Sequence, residues 1–156
     1  MLSIRKATQD DVETYFRWAN DQIVRQNAFT TDKITWETHV GWYSEKLKDH
    51  SCYLYIIEKQ NNLLGQVRFD VDPIAGNAEI SYSVGAEYRG GGLGKILLDM
   101  AIIQLKNDSH NTYSLIAKVK GNNTASSRVF INSGFEEVNN YHNDFFRVLT
   151  FEKKLK

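Results

Sequence analysis

One cysteine and one proline in 156 residues remove two kinds of constraint at once. Cys52 has no partner for an internal disulfide, and the opening MLSIRKATQDD lacks a charged-then-apolar leader, so the expected setting is a reducing cytoplasm. Cys52 itself reads as a buried strand residue. No apolar run approaches the ~18 residues of a membrane-spanning helix, so a soluble protein with no membrane association is expected. Net charge is missing as well. Nineteen Lys and Arg offset nineteen Asp and Glu, which leaves no overall field to draw the molecule onto nucleic acid. There is no repeat, linker or low-complexity segment, and the length suits one domain over residues 1–156.

What is present is a regular succession of elements. LSIRKA alternates and leads to Thr8 and Asp10, either able to cap a helix; Val12, Tyr15, Phe16 and Ala19 then recur at helical spacing. ITWETHVGWYSEKL repeats that spacing. CYLYIIE and LLGQVRFDV are β-rich runs around the turn KQNN and predict a hairpin. AEISYSV predicts a further strand, with Ala78, Ile80, Tyr82 and Val84 on one face and Glu79, Ser81 and Ser83 on the other. LGKILLDMAIIQLK is apolar on nearly all sides and predicts a sandwiched helix. TYSLIAKV is a strand, NTASSRVFINSGF a short helix closed by Gly134, and FFRVLTFEKKL the last strand. The order β-α-α-β-β-β-α-β-α-β-β argues for an α+β architecture: a mixed, mostly antiparallel sheet of about seven strands with helices on both faces.

Four of the ten glycines fall within five positions, in YRGGGLGK, between a strand and a helix. Bare amides at a helix N-terminus suit a phosphate. A P-loop is excluded, because Arg89 occupies its first glycine position and Ile96 follows Lys95; a G-x-G-x-x-G fingerprint ends on Lys95 or Leu97 and fails too. What fits is R-x-x-G-x-G, met by Arg89, Gly92 and Gly94. This resembles the coenzyme A pyrophosphate loop of the GNAT family of N-acetyltransferases. A second motif agrees with it: Asn123, Ser126, Phe130 and Gly134-Phe135 have the spacing of that family's later helix. The resemblance spans nearly the whole chain.

The resemblance implies acetyl-CoA as co-substrate, with no metal, held by Val84, Arg89, Gly90, Gly91, Gly92, Leu93, Gly94, Asn123, Ser126 and Phe130. It implies a general base at Glu79, with His39 as the second candidate because its ring titrates near neutrality. The oxyanion would meet an amide of Val84 or Gly85. At Phe130 the family commonly has a tyrosine that protonates the leaving thiolate, and phenylalanine has no proton to give. Ser126, Ser127, Tyr141 or water are the replacements, or the thiolate leaves unaided.

The acceptor of such enzymes is a small-molecule amine or a protein amine. FRWANDQIVRQN and THVGWY resemble the subset acting on nucleotide-linked 4-amino sugars, of the pseudaminic acid type. On that reading Arg25 holds a phosphate, Trp18, Trp36 or Trp42 stacks on a base or sugar, and Asn20 and Asn27 read hydroxyls. Core packing is the competing reading for each tryptophan and for Tyr43. Acetylation of protein N-termini or ribosomal proteins, and a CoA-binding module without turnover, are the alternatives. The sequence leaves room for a homodimer.

Overall fold

A computed structural model describes all 156 residues. The alternating start forms β1 (Leu2–Lys6), and Thr8 opens a 3-10 turn by accepting the Asp10 N–H while the Asp11 carboxylate accepts the Thr8 N–H. Asp11 also takes both Nη groups of Arg5, at 2.8 and 2.9 Å. Burial pushes its carboxyl upward, but the Arg5 guanidinium and the Thr8 amide outweigh this and hold it below the ordinary range.

Three helices follow, α1 (Val12–Ala19), α2 (Gln22–Asn27) and α3 (Trp36–Lys48), where the periodicity predicts two. The extra one is α2, which has no buried residue and hence no apolar stripe to announce it. Its signal is the cap: Asp21 Oδ1 accepts from the Ile23 and Val24 amides.

The hairpin β2 (Cys52–Lys59) and β3 (Asn62–Asp72) is as expected, and its two turn residues, Gln60 and Asn61, have φ of 51° and 69°. Such a turn matches the right-handed twist of the strands. Then come β4 (Asn77–Val84), α4 (Leu93–Asp108), β5 (Ser114–Lys120), α5 (Thr124–Asn132), β6 (Glu136–His142) and β7 (Arg147–Lys154). Gly134, at φ 92°, closes α5 as expected.

The seven strands form one sheet in the order β1-β2-β3-β4-β5-β7-β6. Only β4 and β5 run parallel, as the crossover through α4 requires, so the fold is the mixed, mostly antiparallel α+β sheet that was expected. On one face Leu97, Leu98, Ala101 and Leu105 of α4 and Phe130 of α5 pack against Ala78, Ile80, Leu115, Ala117 and Phe151. On the other, Tyr15 and Trp18 of α1 and Tyr43 of α3 pack against Leu54 and Ile56. Each fully buried Leu, Ile or Phe among them contributes about 1.5–3 kcal/mol.

Two expectations need correction. The α4 helix is not sandwiched: Ile96 and Ile103 are 42% and 64% exposed, and Lys95 pairs with Asp99 on its open side. Its apolar residues exceed what one sheet face can cover. Cys52 is only half-buried, at the first position of β2; its surroundings push the thiol up to about 12, so it is no nucleophile near neutrality.

Candidate active site

The sheet opens where β4 and β5 part. They pair over three residues, Asn77 with Ser114, Ala78 with Leu115 and Glu79 with Ile116, and then diverge. Beyond Glu79 the slot side of β4 has lost its strand partner. Which amides face that slot follows from the other edge: the Gly85 N–H donates to Leu64 O of β3 at 2.8 Å. In an antiparallel pair these donors alternate, so Val84 turns its N–H away from β3 and into the slot. Of the two amides expected for an oxyanion, Gly85 is committed and Val84 is free to serve.

At the top of the slot lies the glycine loop. Gly90 and Gly92 have φ of 87° and 74°, a conformation that costs any side chain. Gly91 has neither a positive φ nor an atom within 4 Å of where a Cβ would sit, so neither backbone strain nor crowding inside the protein demands a glycine there. Gly92 is the N-cap of α4 with no side chain capping the helix, so the first-turn amides point outward unpaired. These features fit a pyrophosphate. Gly94 serves packing instead: a Cβ there would meet Val129 Cγ2 at 3.3 Å and Tyr82 Cε2 at 3.4 Å. Arg89 faces away from the cradle, donating to Val84 O at 3.2 Å and pairing with Asp21 at 2.8 Å.

Across the slot, Asn123 Oδ1 accepts the Ser126 amide and starts α5. Phe130 is 3% exposed and packs edge-on to Phe135 and Tyr82, a core residue. Tyr82 reaches over from β4, its hydroxyl 3.0 Å from Ser126 Oγ. Burial pushes this phenol up from 10.0, more than Ser126 lowers it. Tyr141 stands on β6, beside Val148 of β7 and separated from β4 by two strands, β5 and β7.

The opposite face carries the residues expected to serve the acceptor. Glu79 is exposed, and alternation puts Ser81 and Ser83 of β4 and Ile116, Lys118 and Lys120 of β5 on its side of the sheet. Asp70, beside Glu79 on β3, is neutralised by Lys46 at 2.7 Å and Arg68 at 3.0 Å, so Glu79 has no uncompensated carboxylate next to it. Helix α2 straps the mouth of the slot. Asp21, at its start, holds Arg89 of the glycine loop, and Gln26 O, near its end, accepts Lys120 Nζ at 2.9 Å. Lys120 is 7% exposed, and its ammonium is 4.7 Å from the Phe146 ring, which stacks on Phe29. Sequence reading missed Lys120, because a lysine at a strand end gives no sign of burial.

Several acceptor residues build this wall rather than face a ligand. Asn20 donates to and accepts from Ile34. Arg25 gives Nε to Ala19 O and Nη1 to Thr30 O and Asp32 O, leaving Nη2 uncommitted, so its guanidinium folds the loop before α3 instead of meeting a phosphate. Trp18 is 8% exposed, packed on Tyr15 and against Gly85; Trp42 lies under Arg68. Asn27 is half-buried with its amide unpaired.

His39 belongs to this packing too. It is 2% exposed, ringed by Phe16, Trp36, Trp42 and Tyr43, with Nε2 2.9 Å from Val12 O. A sealed imidazole donating to a carbonyl does not reach a substrate amine. Burial disfavours its charged form and holds it below 6.5. The unfolded chain therefore binds a proton that the folded chain resists, and stability is full above pH 6.5 and lost as the pH falls through it. Accordingly, the urea midpoint drops between about pH 7.5 and about pH 5.5. In His39→Gln that drop is smaller, and equal drops would contradict the assignment.

The acetyltransferase (GNAT) domain model matches residues 1–136. No curated protein matches the chain at a significant level. Among solved structures, the spermidine N-acetyltransferase of Vibrio cholerae, in complex with CoA and spermine, is 18% identical with a TM-score of 0.86, over 98% of this chain and 95% of that one. RimL, a ribosomal L7/L12 α-N-protein acetyltransferase in complex with coenzyme A, is 19% identical at 0.84, over 98% and 93%. The aminoglycoside acetyltransferase AAC(6')-Ib, in complex with coenzyme A, is 17% identical at 0.83, over 99% and 95%. At these identities the structures establish the fold, and no cluster of His, Cys, Asp or Glu is arranged to hold a metal. Family model and fold agree, and the chain belongs to the GNAT acetyltransferases, acetyl-CoA-dependent N-acetyltransferases.

Proposed function

We propose that the chain, acting as one domain over residues 1–156, moves the acetyl group of acetyl-CoA to the primary amine of a nucleotide-linked amino sugar. The observation that carries the acceptor is the charge on the open face of the slot. Lys118 is exposed without an ion pair, and Lys120 is buried without a carboxylate partner, both on the side of β5 that Glu79 shares. An acceptor bearing phosphates is drawn to these ammonium groups, whereas a polyamine or a basic protein tail is repelled. The FRWAND and HVGWY patterns support the same reading, with Asn20 and Arg25 shaping the acceptor loop and Asn27 offering its free amide to a hydroxyl.

On this reading Gly90, Gly91, Gly92 and the first amides of α4 hold the pyrophosphate, and Val84 N–H steadies the oxyanion. The acetyl thioester supplies the electrophilic carbon. Glu79, exposed at the vertex of the slot, removes the proton of the incoming ammonium, directly or through water. Glu79→Gln therefore lowers kcat at pH 7 by about 100-fold and leaves acetyl-CoA affinity unchanged. Wild-type turnover in that variant would remove Glu79 from the role.

The acceptor is tested by thiol release from acetyl-CoA in the presence of a UDP-4-amino sugar, spermine, or a peptide with a free α-amine. Turnover with the sugar nucleotide is expected, and turnover confined to spermine or the peptide would overturn the reading.

A further inference from the structure

We propose that Tyr82, on β4, is the acid that protonates the departing thiolate, with Ser126 relaying the proton from solvent. The proposal rests on acetyl transfer at the β4–β5 slot, but not on which amine accepts the acetyl group.

The site has an acid missing and an unexplained hydroxyl pair. Phe130 stands in α5 where a proton-bearing aromatic would serve, and it is sealed among Phe135, Phe151 and Tyr82. Next to it, at a ring distance of 5.5 Å, Tyr82 carries the hydroxyl that Phe130 lacks. Its strand position matters. Tyr82 lies past the last β4–β5 pair and two residues before Val84, and its side chain crosses from β4 to the start of α5. That path bridges the two walls of the slot.

The ring is held in place. Gly94 of α4 leaves room for it, since a Cβ there would sit 3.4 Å from Tyr82 Cε2, and Ser126 Oγ anchors the hydroxyl at 3.0 Å. Ser126 is itself fixed by the cap from Asn123. The neighbours facing the phenol from α4 and α5, Gly94, Ser126, Val129 and Phe130, carry no charge. Across β3 the residue opposite Tyr82 is Val67, also neutral. The phenol thus stays protonated near neutrality; burial makes it a weaker acid than a thiol of pKa about 8.5, so it gives up its proton only as negative charge builds on the departing sulfur. As the C–S bond breaks and its electron pair passes to sulfur, the Tyr82 hydroxyl turns its proton toward sulfur while its oxygen accepts from Ser126 Oγ–H.

The balance is complete without a further reactant. The amine nitrogen attacks the thioester carbon, and its proton leaves to a base. When the tetrahedral adduct collapses, the C–S bond breaks, and the Tyr82 Oη–H proton goes to sulfur to give free coenzyme A thiol. Tyr82 then regains a proton from the Ser126 hydroxyl, which is half-buried and takes one from water.

Two variants test this. Tyr82→Phe is expected to lower kcat for thiol release by about 100-fold while the acetyl-CoA Kd from calorimetry stays within about two-fold. Replacing Tyr82 with 3,5-difluorotyrosine keeps the shape and makes the hydroxyl more acidic, so the alkaline limb of the kcat–pH profile moves to lower pH. Both are measured with the UDP-4-amino sugar and, independently of any acceptor, as slow hydrolysis of acetyl-CoA. A wrong acceptor assignment abolishes only the first readout. Retained kcat in Tyr82→Phe, or an alkaline limb that the fluorinated residue leaves in place, would overturn the proposal.

Discussion

Gly91→Glu raises the Kd for acetyl-CoA by at least about 100-fold and leaves the unfolding midpoint where it was. The two halves of this result have separate causes. Nothing lies within 4 Å of a Cβ at Gly91 and its φ is not positive, so the folded backbone accepts a side chain there without strain. A carboxylate in the cradle, however, stands where two phosphate charges must go, and like charges in contact cost several kcal/mol. Gly92→Val would not separate these effects. At φ 74° a β-branched residue adds about 1–3 kcal/mol of backbone strain, so binding and stability fall together. Calorimetry and thermal melts on Gly91→Glu decide the matter: unchanged affinity would show that the pyrophosphate is held elsewhere.

The second large effect is on stability and comes from inside the sheet. Gly65→Ala is expected to destabilise the fold by about 3 kcal/mol, lowering the melting midpoint by roughly 10 °C. A methyl at Gly65 would lie 2.5 Å from Ser83 O and 2.6 Å from Leu97 Cδ1. Leu97 is fully buried in the main core and Ser83 O is backbone, so neither can swing aside. Relief comes only by moving β3 away from β4. Because Gly65 lies opposite Val84, that movement displaces the strand end that lines the slot, and acetyl-CoA binding weakens as well. A Gly65→Ala protein as stable as wild type would mean that the strands are more loosely packed than these distances allow.

The residues fall into groups by how far the sequence could reveal them. The donor loop was legible because everything that defines it is local: glycines with positive φ, an uncapped helix start and a strand just before, all within ten residues. Six of the seven strands were legible through periodicity; β6, exposed along its whole length, has no buried face to create an alternation. Helix α2 was not, since its six residues bury nothing and only Asp21 marks it. His39 shows the opposite error. Its imidazole suggested chemistry, yet its neighbour one turn on, Tyr43, stacks on it and is fully buried, which was the sign of an inward-facing stripe.

Tyr82 and Lys120 required tertiary structure. In sequence Tyr82 is one of four alternating core residues of β4, and only the arrival of α5 beside it, forty-four residues later, brings Ser126 to its hydroxyl. Lys120 meets Gln26 across ninety-four residues. On the proposed reading Lys120 bears on which amine the slot takes and Tyr82 on the departing thiolate, whereas the loop bears on the donor. That is why the family could be read early, while the proposed acceptor rests on the face of β5.

The central claim, an acetyl-CoA-dependent N-acetyltransferase whose slot selects an amine bearing phosphates, is tested most directly by a matched pair of acceptors. With acetyl-CoA saturating, kcat/KM is measured for a UDP-linked 4-amino sugar and for the same amino sugar without its nucleotide. Exposed Lys118 offers a charge-assisted contact of about 1.5–3 kcal/mol and buried Lys120 adds its field, so the linked sugar is predicted to be favoured by at least about 10-fold, with the ratio falling as salt is raised. Equal values of kcat/KM for the two acceptors, or preference for the free amine, would contradict the account.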